Sequence, residues 1–111
     1  PLDKNKLKKF IIDKDKFDLE IDLSKKIGWN AAKMLFAHIR RKLQILYYYT
    51  KNQIEPDFHK CLSSLNIPYY NELDLLNNNY MKRVPCSLKE INNYIKISKK
   101  LTKKIIKVLN K

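Results

Sequence analysis

Hydrophobic positions along this chain recur mostly at steps of three and four, the spacing of one buried face on an α-helix. The clearest case begins near Asn30 and runs over residues 30–50, where Ala32, Leu35, Phe36, Ile39, Leu43, Leu46 and Tyr47 share a face and Lys33, Arg40, Arg41 and Gln44 take other azimuths. Asn30 is a candidate N-cap, with Trp29 before it placed to pack on the first turn. Pro56 then opens a short helix through Ser64, with Phe58, Cys61, Leu62 and Leu65 on its apolar side and Asn66 and Pro68 marking its end. Residues 70–76 form a further short helix. The run Asn77, Asn78, Asn79 reads as a loop or as polar helix surface.

The last element has the sharpest start signal. Ser87 and Glu90 make an S-x-x-E capping box directly after Pro85, and neither Gly nor Pro interrupts residues 87–110. Leu88, Ile91, Tyr94, Ile95, Ile97, Leu101, Ile105, Val108 and Leu109 supply the apolar stripe, either on one long helix or on two broken near Ser98.

The N-terminal part is different. Residues 3–12 suit a short helix with Leu7, Phe10 and Ile11 inward, but Phe17, Leu19, Ile21 and Leu23 then alternate with Asp18, Glu20 and Asp22. Period two is a strand signal, and no second strand stands ready to pair with it. The segment is expected to lie extended across the helices or to add to a partner's sheet edge. Phe17, Leu19 and Ile21 are therefore candidate partner-binding residues.

With 111 residues and 44% hydrophobic content, the chain has material for one core and is too apolar for the disordered class. The expectation is an all-α domain, a small bundle of about four to five helices with one short extended N-terminal segment. Residues 1–28 would be an arm, and 29–111 the bundle. No apolar run approaches the roughly 18–20 residues of a membrane span, and the opening Pro1, Leu2, Asp3, Lys4 has no signal-peptide core. A first residue other than Met suggests a processed chain or an excised piece, and the expected setting is intracellular, nuclear if the source is eukaryotic.

Charge changes the picture most. The formal net charge is +13, and ten bases against one acid give residues 82–111 alone +9. On a helix, Lys96, Lys100, Lys103 and Lys107 fall on one face, with Lys99 and Lys104 beside them, opposite the apolar stripe. A ridge of this kind tracks phosphates without reading sequence. The opposing reading is a solvated lysine face, since abundant Lys, Asn, Ile and Tyr with a single Gly is the composition of AT-rich genomes. Arg40, Arg41 and Arg83 are the only arginines, which argues against base-specific readout.

Tyr47, Tyr48 and Tyr49 spread over about 200° of helix surface, so at least one is exposed; Tyr48 is the candidate for base stacking or a protein interface, against the plainer reading of a tyrosine at the rim of the core. His38, His59, Cys61 and Cys86 allow a zinc site to be drawn, but they lack paired ligand spacing and read better as ordinary histidines and semi-buried thiols. No phosphate loop, HExxH or nucleophile elbow is present, so no enzyme, cofactor or metal is expected.

Two resemblances bear on function. Segment 87–101 is similar to the helix-turn-helix that closes a TFIIB-type cyclin repeat or occurs in small bacterial regulators. It departs at Asn92, where the motif has a small residue, at Lys96, where it has a turn Gly, and at Leu101, which comes one position early. Asn30, Arg40, Arg41, the Tyr47 to Tyr49 cluster, Pro56, Tyr69, Tyr70, Asn71, Tyr80 and Met81 resemble the helical domain of GINS subunits, which implies an assembly subunit. The two functional expectations are thus a module binding DNA or RNA electrostatically and a protein-interaction or scaffold domain with no nucleic-acid contact.

Overall fold

In a computed structural model of the chain, residues 3–23 and 29–110 are described, with the side chains of 17–23 outside the description. Five helices follow one another: α1 (Lys4–Leu23), α2 (Trp29–Lys51), α3 (Phe58–Ser64), α4 (Tyr70–Met81) and α5 (Leu88–Leu109). The all-α bundle expected from the periodicity is the observed architecture, with no β-strand among the described residues.

The alternating segment 17–23 is helix, the C-terminal third of α1, and not an extended strand. An unpaired strand leaves its N–H and C=O groups dependent on solvent, whereas a helix bonds them internally, and neither Gly nor Pro interrupts the stretch after Asp3. Asp3 starts the helix by accepting from the amides of Asn5 (2.9 Å) and Lys6 (3.3 Å). Asn30 lies inside α2 rather than capping it, one residue past the observed start at Trp29.

At α3 the cap is Asp57, whose carboxylate accepts from the Lys60 amide at 2.9 Å, so Pro56 precedes the cap rather than opening the helix. The Pro56 carbonyl instead accepts from Arg40 and Gln44 of α2, both at 3.1 Å, which ties the connection back to its parent helix. Asn77, Asn78 and Asn79 are ordered turns of α4 and not a loop. Leu73 and Leu76 are buried one turn earlier, and that burial carries the helix onward despite the low propensity of Asn.

With so little glycine, other residues take the left-handed positions at helix ends. Asn52, Asn66 and Arg83 have φ of 58°, 51° and 57°. After α4 the Val84 amide bonds the Asn79 carbonyl at 2.8 Å, closing the helix around Arg83.

α5 is one uninterrupted helix, begun by a complete capping box: Ser87 Oγ accepts from the Glu90 amide, and Glu90 accepts from the Ser87 amide at 2.9 Å. Ser98 sits buried in mid-helix, so the helix-turn-helix geometry is not formed. The centre of the bundle is α2 against α5, with α1 packed on α5 and the α3/α4 pair on α2. Leu35, Ile39 and Leu43 of α2 and Leu101 and Ile105 of α5 are almost wholly withdrawn from solvent. Phe36 stacks between Tyr80 of α4 (4.1 Å) and Phe58 of α3 (4.8 Å), joining the small pair to the core.

One ion lies within this apolar centre. The Lys42 side chain is 3% exposed, and its ammonium donates to Asp15 of α1, to Ser98 Oγ and, at 3.2 Å, to the Ser98 carbonyl of α5. A buried ammonium is costly unless held by acceptors of this kind, and here they come from both neighbouring helices.

Candidate functional site

The uninterrupted α5 fixes the geometry of the lysine ridge. At about 100° per residue, Lys89, Lys96, Lys100, Lys103 and Lys107 fall within about 60° of helix surface, and the row from Lys89 to Lys107 is about 27 Å long. All five are exposed. Lys104 is exposed on one flank, and Lys99 is half-buried on the other. The opposite side of the helix carries Ile91, Tyr94, Ile95, Ser98, Leu101 and Ile105 into the core, so the ridge faces away from α1 and α2. Glu90 is the one carboxylate of α5, and it is engaged in the capping box. Nothing on this helix neutralises the row.

Two contacts extend it. Lys100 Nζ lies 5.4 Å from the centroid of the Tyr69 ring, which brings an aromatic from the α3–α4 connection to the ridge. Lys8 of α1 donates to Asn110 and so sets a further ammonium at the C-terminal end of α5. Neither is foreseeable from spacing, since Tyr69 is 31 residues from Lys100 and Lys8 is 102 from Asn110. From Lys96 to Lys107 the ammoniums fall about one helical turn apart, with Lys89 two turns before Lys96, and Tyr69, partly buried against the core, holds Lys100 near mid-length.

The other candidate residues are not brought to this face. Tyr48 is exposed at 38% on α2, its ring edge-on to Tyr49 at 5.0 Å, while Tyr47 and Tyr49 are half-buried against the core. Phe17, Leu19 and Ile21 belong to helical backbone, which removes the strand-edge geometry, and their side chains lie outside the described residues. Cys61 and Cys86 are buried free thiols. Burial pushes both up to about 11, helped by Glu55 and then Asp57 at Cys61 and by Glu90 at Cys86, so they are protonated and inert at neutral pH. The Cys61 thiol donates to the Glu55 carbonyl at 3.3 Å. Among the described residues no three of His, Cys, Asp or Glu are grouped to hold a metal, and no helix is long and apolar enough to cross a membrane.

No protein family, curated protein or solved structure matches this chain, so the cyclin-repeat and GINS resemblances rest on the quoted residues alone.

Proposed function

We propose that this chain is a non-catalytic nucleic-acid-associated module that holds the phosphate backbone of DNA or RNA along the outer face of α5, as part of a larger protein or complex. The observation that carries the reading is the row Lys96, Lys100, Lys103 and Lys107, exposed on one helix face with no carboxylate among them. Lys99, Lys104 and Lys8 widen it, and Tyr69 holds the Lys100 ammonium at its ring. Contacts of this kind position a nucleic acid without selecting a sequence.

The test is a salt titration of binding to a mixed-sequence duplex and to a single strand. Counterion release requires log affinity to fall linearly with log salt, at a slope near −0.9 per neutralised phosphate on duplex and about −0.7 on a single strand. Four to six contacts give a duplex slope of roughly −4 to −5. Absence of binding at low salt refutes the reading.

A protein-docking role is the second reading, favoured by one observation. Met81, Val84 and Leu88, along the short connection from α4 to α5, are 71%, 40% and 48% exposed, a run of apolar side chains in water. Under that reading the lysines serve solubility alone, and the module is an assembly domain.

A further inference from the structure

A cleft of about 140 Å³ opens between α1 and α2, on elements whose packing sides face α5 and so separate it from the lysine ridge. Phe10, Ile11, Ala37 and Ile45 form its apolar walls and the half-buried His38 adds a polar one, and its volume is close to that of a cavity that admits a single six-membered ring. Among the described lining residues the charge is all of one sign, with Lys14 and Arg41 at the exposed mouth and Lys42 deeper. Lys42 is engaged with Asp15, which leaves Lys14 and Arg41 as the exposed charge. Both are held at the ring of Phe10, the ammonium 5.2 Å and the guanidinium 5.8 Å from its centroid. Phe10 itself remains 38% exposed, an aromatic in water between two cations.

We propose that this cleft is a binding site for a small amphipathic anion, a single ring or short alkyl chain carrying one carboxylate or phosphate. The apolar part enters against Ala37, Ile45 and the edge of the Phe10 ring and is removed from water. The anionic group stays at the mouth between Lys14 and Arg41, where guanidinium geometry suits bidentate acceptance by either oxyanion. A ligand lacking either half loses one of the two features that make up the cleft: a neutral ring leaves the cations unpaired, and inorganic phosphate leaves the apolar walls hydrated.

The experiment is an amide-resolved NMR titration of the full chain with benzoate and phenyl phosphate, alongside benzyl alcohol and inorganic phosphate. Saturable shifts centred on residues 10–14 and 37–45 are expected for the two amphipathic anions, at least tenfold tighter than for either control. The variant Lys14→Gln, Arg41→Gln, both at exposed positions and checked for unchanged helix content, should weaken them at least tenfold. Equal binding of benzyl alcohol or of inorganic phosphate would overturn the proposal, as would shifts confined to the outer face of α5, full affinity in the double variant, or no saturation with either anion. The ridge is untouched by these substitutions, so its salt-dependent binding is read separately.

Discussion

Changing Lys96, Lys100, Lys103 and Lys107 together to Gln removes four positive charges from one face of α5 and touches none of its core side. All four side chains are exposed, so no cavity forms and no buried group loses a partner. Gln matches Lys closely in helix propensity. Seven like-charge pairs of α5 at spacings of three and four vanish, counting those with Lys99 and Lys104, each worth about 0.2–0.5 kcal/mol of repulsion at low salt, against the loss of the Lys100 contact with Tyr69, worth about 0.5–1 kcal/mol at an exposed site. The balance favours the variant, which should be at least as stable as the parent, by up to about 3 kcal/mol at low salt and by less once salt screens the repulsion.

Binding should change far more. Four lost phosphate contacts reduce the duplex salt slope by up to about 3.6, so that between 50 and 200 mM salt the parent loses roughly 100-fold more affinity than the variant does. Fluorescence anisotropy on a labelled duplex at five or six salt concentrations measures both slopes. Affinity should fall by a similar factor on unrelated sequences, because phosphate contacts carry no base information. An unaltered slope in a folded four-Gln variant refutes the ridge.

Three further expectations concern the fold. Ser87→Ala removes the acceptor of the Glu90 amide and should cost about 1 kcal/mol in urea denaturation; an unchanged midpoint would mean that the capping box contributes nothing. Leu101→Ala, at a side chain of α5 with no solvent exposure, should cost about 3–4 kcal/mol, and a loss below about 1 kcal/mol would contradict the packing described. The thiols of Cys61 and Cys86 ionise near 11 in the folded chain instead of the ordinary 9.0, so their contribution is whole below pH 9 and is lost as pH rises through 11. The loss is on the order of 2 kcal/mol per thiol. Stability measured from pH 8 to 11 should fall less steeply for Cys61→Ala, Cys86→Ala than for the parent, and parallel curves would refute the assignment.

Features that depend on neighbours in sequence were legible in the sequence. The box at Ser87 and Glu90, the turn at Asn66, the stripe of α2 and the lysine row of α5 each rest on spacings of a few residues, and helical geometry converts such spacings directly into faces and caps. The stretch 17–23 shows where this stops, since its period of two is local but a strand needs a partner, and the partner's absence is a property of the whole chain. With none to pair with, the backbone bonded itself and became the end of α1. Asn77 to Asn79 likewise became helix because Leu73 and Leu76 are buried in the core, not because Asn favours it. Lys42 is indistinguishable in sequence from the other lysines. It is buried only because Asp15 and Ser98, 27 and 56 residues away, converge on its ammonium. Tyr69 beside Lys100 and the cleft at Phe10 and Arg41 arise in the same way, from helices that meet only on folding. Charge and periodicity along one helix were thus determined residue by residue, whereas partners between helices were decided by tertiary packing, since it alone brings distant residues within contact distance.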